Sequence, residues 1–203
     1  MSIRKSEFDG QFILSQYEND LPAKWRKRKI GPWILASHKT LPIMEMFQSG
    51  GQTIGWLLGY PITNNAELLN SKLTFEEQFL RPEDFEAWLC GLSGRFACIY
   101  LHGDVQRVYL DSCGSLALVY STQRNCVAST TTLLADIHRD GAHELISLLG
   151  MPHSDAWYPS GLTPMKNVRR LLPNHYLDLS KWKPVRHWPK PSDLDTKTDF
   201  KQT

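Results

Sequence analysis

The chain has 203 residues, a formal charge of +2 at neutral pH, and 22% charged against 41% apolar residues. That length suits one domain with a sizeable core, and the near balance of charge argues against a polyanion as a general partner. The longest apolar run, Ile54–Ile62, is too short to cross a bilayer, and the charged start with Arg4, Lys5 and Glu7 has no secretory h-region, so no membrane association and a cytoplasmic location are expected.

In chain order, Gln11–Tyr17 alternates like a first strand, and Pro32–Ala36 and Thr53–Gly59 are further strand candidates. Between the first two lies Lys24-Trp-Arg-Lys-Arg-Lys29, whose five cations around a tryptophan would suit phosphate contact and base stacking. The plainer reading is a solvated loop or strand edge guarded by charge, and nucleic acid is not the expected partner. Ser49-Gly50-Gly51 precedes a strand and reads as a turn, not a phosphate loop. Thr74-Phe-Glu-Glu77 has capping-box spacing and predicts a helix start. Pro82 opens a second helix with Phe85, Trp88, Leu89 and Leu92 at helical intervals. Asp140 is placed to cap a later helix containing Leu145, Leu148 and Leu149, with Gly150 as its stop.

The most informative stretch is Gly94–His102, followed by Val105–Leu110, Leu116–Ser121 and Val127–Ser129, with tight turns at His102-Gly103-Asp104 and Thr122–Asn125. Phe96, Cys98 and Tyr100 point one way along the first of these strands; Ala97, Ile99 and Leu101 point the other. Both faces are apolar. The strand must therefore be covered on both sides, as in a sheet held between a helix layer and a second sheet.

Cys90, Cys98, Cys113 and Cys126 include no Cys-x-x-Cys pair, and Ser147 stands where His143-Glu144 would need a second histidine. No metal site is expected, and the cysteines read as free thiols. Asp111 is placed to cap the turn Asp111-Ser-Cys-Gly114 through backbone amides, with Gly114 supplying a positive φ; Cys113 has no neighbouring base in sequence. Trp56, Trp88 and Trp157 read as core or rim anchors.

The order Leu92-Ser-Gly94-Arg-Phe96, Leu110-Asp111-Ser-Cys-Gly114, Leu118-Val-Tyr120, Ala128-Ser129, Val168-Arg-Arg-Leu-Leu-Pro173-Asn-His-Tyr176 and Arg186-His-Trp188 resembles the amino-terminal glutaminase domain of asparagine synthetases and other class II glutamine amidotransferases. The resemblance runs from about Ile54 to Trp188. It implies an α+β fold, a four-layer αββα sandwich with two mainly antiparallel sheets, as in the amino-terminal nucleophile (Ntn) hydrolases. It also implies a domain over residues 1–189, and the polar, proline-interrupted residues 190–203 read as a linker or tail. The implied partner is a synthetase-like ATP-using domain on a longer or separate chain; a homo-oligomer is compatible, and no cofactor is implied.

The family's nucleophile is an amino-terminal cysteine whose own α-amine, titrating near ~8, acts as base. This chain begins Met1-Ser2-Ile3, and about ten residues that span up to ~30 Å separate its terminus from the first apolar alternation. The family's oxyanion Asn-Gly pair aligns with Leu58-Gly59, and Tyr60 replaces a carboxylate. The resemblance thus implies a vestigial pocket at Leu58, Gly59 and Tyr60, no catalytic residue, and a structural or regulatory module. The rival reading is a working glutaminase that uses Ser2.

Overall fold

The computed structural model describes residues 9–18, 21–135, 140–151, 153 and 158–189. Runs of alternating side chains build two sheets. The six-stranded sheet, in spatial order β11-β9-β10-β1-β3-β2, uses β1 (Phe12–Ser15), β2 (Arg26–Ile30), β3 (Trp33–Ser37), β9 (Val119–Ser121), β10 (Cys126–Ala128) and β11 (Arg169–Arg170). The seven-stranded sheet, in order β13-β12-β8-β7-β5-β4-β6, uses β4 (Ile43–Gln48), β5 (Thr53–Ile62), β6 (Leu73–Phe75), β7 (Ser93–His102), β8 (Val105–Leu110), β12 (His175–Asp178) and β13 (Lys183–Arg186). Every pairing is antiparallel except that of β4 with β6. Among the described residues the architecture is α+β with few helices: α1 (Pro82–Cys90) and the single turns α2 (Thr131–Leu134) and α3 (Leu145–Leu148).

The two sheets share one apolar core. Phe12, Leu14, Trp33 and Leu35 of the first meet Trp56, Leu58, Ala97, Ile99 and Val108 of the second. The other face of the seven-stranded sheet carries Phe96, Cys98, Tyr100 and Tyr109, and these pack under Phe85 and Leu89 of α1. Strand β7 is thus covered on both faces, as its sequence requires. A third cluster, with Ile13, Ala36, Cys126, Ala128, Leu133 and Leu134, covers the outer face of the six-stranded sheet.

Helix α1 starts at Pro82, where the missing N–H costs nothing, and its Phe85 ring stacks on Tyr100 with centroids 4.1 Å apart. Its Glu86 is buried and needs partners: Arg107 Nη1 donates at 2.9 Å and the Tyr109 hydroxyl at 3.1 Å. The Tyr100 hydroxyl donates to the Leu80 carbonyl at 2.6 Å. Burial pushes that phenol up to about 12, so it remains a donor throughout the neutral range.

Three local expectations are corrected. Thr74 does not start a helix: Leu73–Phe75 is an edge strand parallel to β4, and the helical turn that follows, Glu77–Leu80, is a short 3-10 segment. Its pairing with Phe47 overrides the local capping signal. Asp140 does not cap α3, which begins after Glu144; its carboxylate instead receives both hydrogen bonds of Arg124 Nη2, at 3.0 and 3.1 Å. The strand expected from Leu116 begins at Val119.

Two outcomes follow from this packing. Phe85→Ala should lower the unfolding free energy by about 3–5 kcal/mol, measured by urea denaturation, because the vacated ring space is walled by sheet on one side and helix on the other. In native protein only the exposed Cys90 and Cys113 should react quickly with a thiol reagent; Cys98 and Cys126 should react after unfolding, burial having pushed the Cys98 thiol far up.

Candidate functional site

Leu58 lies on the face of β5 that points between the sheets and is fully buried in the shared core. Gly59 follows with φ of +96°, and its backbone passes so close to β7 that a Cβ would stand 2.4 Å from the Arg95 carbonyl oxygen. Only glycine fits there. Its N–H donates to the Pro42 carbonyl at 2.9 Å, so the amide is already committed inside the chain. Tyr60 is 48% exposed at the open end of the strand.

Beside Gly59 is a cleft of about 240 Å3 lined by Asp9, Gly10, Thr40, Tyr60, Arg95 and Leu116, among others. The chain approaching β1 therefore reaches the same cleft as Gly59 and Tyr60. The Gly10 N–H donates to Thr40 Oγ1 at 2.9 Å, and His38 Nδ1 lies 2.8 Å from that oxygen and 3.2 Å from Asp9 Oδ1. Asp9, His38 and Thr40 hold the residue types of a relay but not its geometry. A relay needs the carboxylate on one ring nitrogen and the hydroxyl on the other, whereas here both meet Nδ1. Arg95 adds a cation that makes no ion pair among the described residues. Ser2 lies outside the described residues.

Asp111 sits at the end of β8, 2% exposed, and its carboxylate accepts four backbone hydrogen bonds. Oδ1 receives the amides of Cys113 at 3.1 Å and Ser115 at 2.9 Å, while Oδ2 receives Phe96 at 3.3 Å and Leu116 at 3.1 Å. The carboxylate is compensated by aligned donors instead of a cation. Gly114 has φ of +63°, and a Cβ there would meet Pro173 Cγ at 3.1 Å, so the turn packs directly on the approach to β12. Cys113 is exposed, with Ser112 Oγ 3.9 Å from its sulfur. Among the described residues no group of three or more His, Cys, Asp or Glu side chains could hold a metal ion.

No protein-family model matches the chain, and no curated protein is significantly similar to it.

The basic segment falls on β2, the free edge of the six-stranded sheet. Lys27 pairs with Glu18 at 2.7 Å and Arg28 with Glu45 at 3.8 Å. Trp25 is not a stacking platform: it is 5% exposed and packs into the outer cluster of that sheet. Trp56 is buried between the sheets and Trp88 packs against Phe75 and Phe85, while Trp157 lies outside the described residues. Ser49–Gly51 forms the turn between β4 and β5, with the Gly51 amide donating to the Gln48 carbonyl at 2.8 Å. Among the described residues no helix is long and apolar enough to cross a membrane.

Sequence reasoning missed the part that Asp9, Thr40 and Arg95 play around Gly59. Arg95 was visible only as the middle residue of Gly94-Arg-Phe96, and nothing local links it to Thr40. Asp111→Ala should cost at least about 3 kcal/mol in urea unfolding, since four amides lose their acceptor and two of them, on Phe96 and Leu116, are buried; Asp111→Asn should recover only part of the loss.

Proposed function

We propose that this chain is a catalytically degenerate class II glutaminase-like domain of the four-layer αββα type. In this reading it serves as a structural or regulatory module for an ATP-dependent, synthetase-like partner domain, on a longer chain or a separate one. The observation that carries the loss of catalysis is the state of Leu58 and Gly59. The side chain at the expected donor position is a buried leucine, and the glycine amide is spent on Pro42.

Further support comes from the order of motifs between Ile54 and Trp188, together with two stacked sheets and a helix on the outer face of one of them. A hydrolase of this kind needs a nucleophile and donors converging where the tetrahedral oxyanion forms. Loss of one donor alone lowers turnover by about 10²–10³, and loss of the nucleophile by about 10⁶. The described cleft residues offer one hydroxyl on a small side chain, Thr40, and it is tied to Gly10 and His38. What remains in this reading is the scaffold itself, as the body of the module.

The test has two arms. Purified protein freed of Met1 should release no ammonia from glutamine above background, and it should co-purify with a synthetase-like chain from its own cell lysate. Ammonia release abolished by Ser2→Ala would establish the rival glutaminase reading. A stable monomer without such a partner would overturn the module reading.

A further inference from the structure

At one side of the sandwich the β11 edge of the six-stranded sheet stands across from the β12–β13 edge of the other, and a cleft of about 220 Å3 lies between them. Tyr120, Ser160, Gly161, Arg169, His175 and Pro184 line it. Arg169 is paired directly with Tyr120, whose ring belongs to the core between the sheets, so the guanidinium side chain rises on that same inner side. On the facing sheet Leu177 points into the same core, which places His175, two residues earlier, on the inner side too. Arg186 is the cross-strand partner of His175 and joins it there.

Arg169 and Arg170 line the opening from one sheet, and Arg186 stands on the inner side of the other, directly across the ladder from the lining residue His175. Among the described residues Arg169 and Arg186 make no ion pair, and no acidic side chain lines the cleft. Asp178, the carboxylate on β12, belongs to the opposite face and is occupied by Ser180 and Lys181. The contrast with the basic edge β2 is direct, because Lys27 and Arg28 there have acidic partners. Neutral donors complete the set. The Pro173 carbonyl, 2.9 Å from His175 Nδ1, can only accept, so that nitrogen carries a hydrogen and Nε2 is the ring atom left for a ligand. Burial raises the Tyr120 phenol against the opposing pull of Arg169, which keeps its hydroxyl a donor at neutral pH.

We propose that this inter-sheet cleft binds a phosphate group, as the free ion or as a small monoester, through Arg169 and Arg186 with the Tyr120 and Ser160 hydroxyls and His175 as further ligands. The planar fork of a guanidinium matches the oxygen edge of a phosphoryl group, and two such forks on facing strands suit a dianion better than a single carboxylate. The space admits a phosphoryl group with a few attached atoms. This site is separate from the cleft at Gly59 and does not depend on the module reading above.

Calorimetric titration of the full chain with inorganic phosphate and, in parallel, with glycerol phosphate tests it. Saturable binding is expected with at least one of the two. Arg169→Gln and Arg186→Gln should each weaken it about tenfold or more, as loss of a charged hydrogen-bond donor requires. Lys29→Gln, on the distant edge β2, should leave it unchanged. Preference for the bare ion or for the ester would identify the source of the phosphate. No saturable binding with either, or an equal loss in Lys29→Gln, would overturn the proposal. Arg169 and Arg186 are exposed, so circular dichroism of these variants should match the parent and separate lost binding from lost folding.

Discussion

From Phe96 to Leu101 strand β7 has no solvent face, and the rest of the molecule is arranged to satisfy that requirement. Ala97, Ile99 and Leu101 need a second sheet, while Phe96, Cys98 and Tyr100 need a helix. Fully burying each large side chain of this kind contributes on the order of 1.5–3 kcal/mol, so a strand clad on one side only would forfeit much of the stabilisation the domain has. Its neighbours β5 and β8 repeat the pattern, which is why Trp56 and Leu58 enter one core while Leu57 enters the other. Where a charged group is buried with this surface it is paired, as Glu86 is with Arg107 and Tyr109.

The corner around Gly59 is held by backbone. Asp111 fastens the Phe96 amide, Phe96 lies opposite Gly59 in the ladder, and Gly59 reaches Pro42 with its own amide. These links couple β8, β7, β5 and the approach to β4 into one rigid junction. An amide side chain in place of Leu58 would be fully buried in the inter-sheet core, at a cost of roughly 1–3 kcal/mol or more if left unpaired. Stability at this position therefore favours an apolar side chain.

Much of the sheet architecture was legible in the chain because alternation is a local signal. β1, β3, β5, β7 and β8 all follow it, and Pro82 marks the start of α1. β4 escaped notice: its buried residues Met44 and Met46 carry weak strand preference and alternate with Ile43, Glu45 and Phe47, which blurs the pattern. Thr74 misled because a cap needs only nearby residues, whereas the ladder to β4 depends on Phe47 far back in the chain. At the candidate site the residue identities were readable, but the partner of the Gly59 amide was not. The cleft between sheet edges was hidden for a similar reason: Arg169 looks like one half of an ordinary basic pair until Pro184 and His175 are brought across from another sheet.

The ladder joining β1 to β10 sets Ile13 opposite Ala128 and Leu14 opposite Val127. During synthesis the first strand therefore has to wait until residues 126–128 have emerged before its second neighbour exists, whereas β4, β5, β7 and β8 have ladder partners nearer to them in the chain. The central meander is thus available early, and its exposed inner face offers an apolar template on which the late-closing sheet can assemble. Such distant closure is intrinsically slow, and it leaves the nascent amino-terminal strand as the segment most in need of shelter until translation has passed residue 128.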